Sequence, residues 1–253
     1  MDTAEATAAT HDVIVTVGGR FMTSSELVEQ ETLIGMRPRS LYFRGRSAVL
    51  GDPPAAVVGA LFGIFPFKLV EAVLAKVTGV PADVAVGAYA AACWQWGRDH
   101  LASVPSAERA AELLFTLVDS ADLSALPLVE GWRVAPRPGP GDGPASLAHA
   151  LMLARELRGA LHFCALRACA LTVHQASAIE PGGGEPKMRL LGWRSTDVDA
   201  VITTLRPEHT DRWYRAEHLT DEAMAECFLA LSADERAELV SLLAGVPGSS
   251  AAR

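Results

Sequence analysis

The chain has 253 residues, half of them hydrophobic, which is enough for one or two packed domains. Lys and Arg number 22 and Asp and Glu 30, so the net charge is −8. That balance argues against broad nucleic-acid binding, which needs a positive footprint.

The first ten residues lack the basic start and apolar run of a signal peptide. The apolar stretches 55–67 and 82–96 are interrupted by Pro66, Asp83 and Gln95, too short or too broken for a membrane span. The expected location is cytoplasmic, with no membrane partner. Cys93, Cys164, Cys169 and Cys227 form no CxxC pair and no zinc-type spacing with His. They read as reduced thiols, and no metal is expected.

In chain order, Val13-Ile14-Val15-Thr16-Val17 is β-prone and stops at Gly18-Gly19. Residues 1–20 are therefore expected as a disordered or extended arm. Thr23-Ser24-Ser25 can cap a helix from Glu26 to about Ile34, ended by Gly35. Pro53-Pro54 and Pro66 each open a helix, since proline is tolerated in a first turn. Asp83 lies in the first turn of another helix, and Ser106 caps the next. Residues 133–144 hold four prolines and three glycines and read as a loop. Ser146 begins a long helical run that reaches toward Ser177. Thr220-Asp221-Glu222 and Ser232-Ala233-Asp234-Glu235 are N-cap signatures, the second a capping box. A small β element is expected near Trp213–His218.

Two clusters carry possible chemistry. The first is His149-x5-Arg155-Glu156-x-Arg158-Gly159-x2-His162. At ~100° per residue, Arg155, Arg158 and His162 share one helix face. His149 and Glu156 share another, with His174 on it if the helix is unbroken. Paired arginines with His suit an anion. His with Glu suits an oriented general base. The second cluster is Arg37-Pro-Arg39-Ser-Leu-Tyr42-Phe43-Arg44-Gly-Arg46, the one basic patch in an acidic chain. A solvated arginine-rich turn is its simpler explanation. No phosphate loop, GxSxG elbow or cysteine-nucleophile motif is present.

Four stretches resemble an uncharacterised, mainly actinobacterial, helix-turn-helix-like family of helical proteins. They are Tyr42-Phe43-x2-Arg46-x3-Leu50-Gly51, the run from Pro54 to Phe65, the His149–His162 cluster, and Gly192-Trp193-x-Ser195 with Leu219-Thr220 beyond. His174 also matches a family His. The resemblance spans about Ser24 to Leu243. It implies a mainly α fold: a helical body over 21–185, then a winged-helix-like module over 186–246. Residues 247–253 would be a disordered tail.

The leading functional expectation is a cofactor-independent biosynthetic enzyme of specialised metabolism, performing a cyclisation, isomerisation or hydrolysis. His149, Glu156 and His162 would be catalytic. Tyr42, Arg46, Arg155, Arg158 and His174 would bind a small-molecule substrate. The alternatives are a winged-helix transcriptional regulator and a non-catalytic ligand-binding scaffold. Against the regulator, the recognition segment Ser195–Leu205 carries Asp197 and Asp199 and no Lys or Arg before Arg206. Nucleic acid is therefore not the expected partner, and a homodimer is left open.

Overall fold

Capping side chains and left-handed stops cut this alanine- and leucine-rich chain into many short helices. The computed structural model describes residues 1–77 and 79–247. Among them are fourteen α-helices and no strand. The chain opens with α1 (Thr3–Asp12), where Asp2 and Glu5 form a reciprocal capping box. The Val13–Val17 run continues it as one π-helical turn. The expected extended arm is therefore helical. Ile14 and Val17 are buried against the long central helix, so tertiary packing overrides β-propensity.

Ser24 caps α2 (Ser25–Leu33), its hydroxyl accepting from the Leu27 N–H. Next come α3 (Leu41–Ser47), α4 (Ala55–Phe62), α5 (Phe67–Leu74) and α6 (Ala82–His100). Ser106 precedes α7 (Ala107–Ser120), but its backbone is left-handed and its side chain caps nothing. α8 (Pro127–Val134) takes up the start of the expected proline-rich loop, and α9 (Gly143–Ala168) begins just before its end. Then follow α10 (Val173–Ile179), α11 (Glu185–Leu190), α12 (Ser195–Ile202), α13 (Glu208–Cys227) and α14 (Ala233–Leu243).

α9 is the axis of the molecule. Ala150 to Ala154 are each 0% exposed, the signature of a helix surrounded on every side. α6, α7 and α13 pack on it. α6 comes especially close at Gly97, where a Cβ would lie 2.5 Å from the Pro144 carbonyl oxygen. α1 lies against α13 and α14, joining the two ends of the chain. Arg236 Nε donates to the Met1 carbonyl at 3.0 Å.

α9 does not continue to Ser177. Its last turn closes as a Schellman motif: Leu171 N–H donates to Leu166 O at 2.9 Å and Ala170 N–H to Arg167 O at 3.0 Å. Ala170 takes the left-handed conformation, φ 52°. Thr172 and Gln175 then cap α10 reciprocally. His174 therefore leaves the face shared by His149 and Glu156.

α10, α11 and α12 form a small group beside the end of α9. Leu166, Leu171, Ala176 and Ala216 make its core. α11, a four-residue turn and α12 are a helix-turn-helix. The turn is a second Schellman motif, with Gly192 at φ 95° where glycine carries no steric penalty. No β wing follows among the described residues, because Thr203–Pro207 leads directly into α13. Trp213–His218 is helical, not β. Thr220 sits inside α13, its hydroxyl donating to Ala216 O at 2.7 Å, so it caps no new helix. The expected tail lies, from 248 onward, outside the described residues.

Candidate functional site

α3 has a carboxylate at its start. Glu31 accepts from the backbone N–H groups of Arg39, Ser40 and Leu41 at 2.8, 2.6 and 2.7 Å. These orphan donors at a helix start suit an anion. Gly45 lets α3 close on α6, since a Cβ there would meet the Tyr89 Cβ at 2.7 Å. This approach brings Arg46 to Glu156 of α9.

Arg46 and Glu156 form a two-pronged ion pair. Arg46 Nε and Nη2 donate to Oε1 and Oε2 of Glu156 at 2.9 and 2.7 Å. Both side chains are nearly enclosed, at 12% and 2% exposure. Arg46 Nη1 also donates to the Tyr42 hydroxyl at 2.9 Å, and its guanidinium lies 4.3 Å from the Phe62 ring centre. Trp132 Nε1 donates to the Arg46 carbonyl at 2.9 Å. Burial alone would depress the guanidinium pKa, but Glu156 more than offsets it and raises it.

This pair forms part of the wall of a cleft of about 640 Å³ between α3, α4, the start of α8 and the second half of α9. Phe62, Leu128, Val129 and Phe163 give it an apolar surface. Four arginines line it, Arg46, Arg155, Arg158 and Arg167, against one carboxylate, Glu156. In a chain of net charge −8, that is a local reversal of sign.

The expected site residues do not all meet there. Tyr42, Arg46, Arg155, Glu156 and Arg158 line the cleft; His149, His162 and His174 do not. His149 is completely buried, and its Nδ1 accepts from Trp94 Nε1 at 2.9 Å. Its Nε2 has no hydrogen-bond partner among the described residues. Burial lowers its pKa to about 3, so the ring is neutral at physiological pH. His162 pairs through Nδ1 with the Thr220 hydroxyl at 3.0 Å and lies 3.5 Å from Glu217 on α13. Burial lowers its pKa, and the Glu217 carboxylate opposes that shift. Arg158 is turned the same way, at 2.9 Å from Glu217 and 3.2 Å from Asp221. His174 packs edge-on against Trp193 at 4.5 Å.

The second arginine cluster splits. Arg44 and Arg46 are internal and Arg37 and Arg39 external. Arg44 binds Gly51 O, Asp52 and Val80 O, which ties the end of α3 to two loops. Cys164 and Arg167, not singled out in the sequence, also line the cleft. Their i, i+3 spacing on a helix that turns one side to a cleft is the signal that could have found them. No group of three or more metal-ligating side chains occurs among the described residues.

The helix-turn-helix is joined to this cleft. Trp193, in the turn, donates its indole N–H to the Ile64 carbonyl at 2.8 Å. Ile64 lines the cleft. A Cβ on Gly192 would meet the Leu69 side chain of α5 at 2.8 Å, so glycine also permits this docking.

An all-helical body with a joined helix-turn-helix is thus the class of protein defined here. The chain belongs to the helix-turn-helix family, whose model matches residues 7–252. No curated protein and no solved structure matches it. No helix among the described residues is long and apolar enough to cross a membrane.

Proposed function

We propose that this chain is a ligand-responsive regulator of the helix-turn-helix type. A small molecule enters the arginine-lined cleft, and the α11–α12 unit delivers the response. The observation that carries this reading is the Trp193–Ile64 hydrogen bond, which ties the turn of that unit to the cleft wall. Family membership supports the same reading.

The cofactor-independent biosynthetic enzyme is less well supported. Acid–base chemistry needs a proton carrier within reach of the substrate. Both oxygens of Glu156 are occupied by Arg46, while His149 and His162 lie away from the cleft.

The charge objection to DNA binding is also weaker in three dimensions. Asp197 is held by Arg194, with Nε–Oδ2 at 2.8 Å and Nη2–Oδ1 at 3.0 Å. Its negative charge is offset, which leaves Asp199 as the acid on α12 that makes no ion pair among the described residues. Lys187, Arg189 and Arg194 stand around the turn, where a phosphate would have to compete with their pairs to Glu180, Glu185 and Asp197.

Fluorescence anisotropy with a labelled duplex from upstream of the chain's own coding region tests this. Binding should weaken steeply with salt, and Arg189→Ala and Arg194→Ala should each bind more weakly. No binding at about 50 mM salt would remove DNA as the target.

A further inference from the structure

We propose that the cleft takes an amphipathic organic anion: a carboxylate, sulfonate or phosphate head on an apolar body of one to three rings. This rests on the reading of the cleft as a ligand site.

The charges locate the head. Arg158 faces two carboxylates on α13 and is not available. Arg46 and Arg155 share one carboxylate, leaving a net single positive charge at that end. Arg155 is the uncommitted member. It lies 3.5 Å from a Glu156 oxygen that Arg46 already occupies, and its side chain is 32% exposed. Arg167 makes no ion pair among the described residues, but it is exposed and stands twelve residues further along α9. That is ~18 Å along the helix axis, so one head group cannot reach both. The head belongs at Arg155, where the enclosed neighbourhood of the buried pair weakens solvent screening.

The walls define the body. A bare inorganic anion would leave the apolar surface of Phe62, Leu128, Val129 and Phe163 wet. A neutral apolar molecule would leave the excess positive charge uncompensated and partly desolvated. A volume of about 640 Å³ suits a small organic molecule and far exceeds one phosphate.

Cys164 supplies a native reporter, because it lines the cleft and is exposed. Cys93 and Cys169 are buried, and burial pushes the half-buried Cys227 thiol up to about 11.

The test compares two probes on the full chain: 1-anilinonaphthalene-8-sulfonate and N-phenyl-1-naphthylamine, the same rings without the sulfonate. The sulfonate probe is expected to bind at least about tenfold more tightly and to slow maleimide labelling of Cys164. Arg155→Gln should abolish most of that preference, Arg155→Lys should keep it, and Arg167→Gln should change it less than about twofold. Circular dichroism checks that each variant is folded. Equal affinity for the two probes, an unaffected Arg155→Gln, or binding without Cys164 protection would each overturn the proposal. Absence of DNA binding beside intact probe results would instead sink only the regulatory reading.

Discussion

The indole nitrogen of Trp193 and the carbonyl oxygen of Ile64 lie 2.8 Å apart, joining the turn of the helix-turn-helix to the turn that follows α4. The two residues are far apart in sequence, and the bond forms because Gly192 throws the chain back toward α5. Trp193→Phe keeps an aromatic ring beside His174 but removes the donor. The net loss of one such bond is about 1 kcal/mol. Amide hydrogen exchange should show faster exchange over 185–202, with the exchange of α9 unchanged. Uniform acceleration along the chain would mean the bond supports the whole body rather than this junction.

The Arg46–Glu156 pair is buried, so breaking it leaves an isolated charge out of water. Glu156→Gln should destabilise the fold by about 3–5 kcal/mol in urea unfolding. Replacing both partners, Arg46→Met with Glu156→Leu, should recover much of that loss, because no unpaired charge remains. A double variant as unstable as Glu156→Gln would show that the pair acts through something other than its charges.

Acid should weaken the protein in a window set by His149. In the folded chain this ring protonates only near pH 3, against the usual 6.5. Between those values the unfolded chain binds the extra proton. Stability is therefore complete above about pH 6.5 and falls as the pH drops, by about 1.4 kcal/mol per pH unit from this group. His149→Gln retains an acceptor for Trp94 but cannot titrate. Its stability should fall less steeply than the wild type's between pH 6 and pH 4. Equal slopes would mean that His149 is not the titrating group.

Ala170 holds a left-handed conformation at the end of α9, φ 52°, where a Cβ is unfavourable. Ala170→Gly should raise stability by roughly 0.5–1 kcal/mol, read as a higher urea midpoint. A lower midpoint would show that the alanine methyl contributes more by packing than it costs in strain.

Most of the helical plan was legible in the sequence. The capping box at Ser232, the cap at Ser24 and the prolines opening α4 and α5 are local signals, and local hydrogen bonds honour them. The N-terminal run misled because β-branched residues report an intrinsic preference, whereas burial of Ile14 and Val17 on α9 decides the outcome. The end of α9 was missed because alanine, not glycine, occupies the left-handed position; the Thr172–Gln175 box just beyond it was the readable signal. The arginine-rich face of α9 was found, but not the division of its charges. The sequence does not reveal that Arg158 turns to α13 or that Glu156 belongs to Arg46, because those pairings arise from helices packed across long stretches of chain. The Arg194–Asp197 pair is local, at i, i+3, and its spacing was readable.

In the proposed function the cleft and the helix-turn-helix act on each other. Amide hydrogen exchange of the chain, free and with Cys164 carrying a stoichiometric bulky maleimide, tests it most directly. Filling the cleft should alter exchange over 192–202, and Trp193→Phe should abolish that response. Exchange that changes only in the cleft-lining segments of α4, α8 and α9, and not in α12, would contradict it.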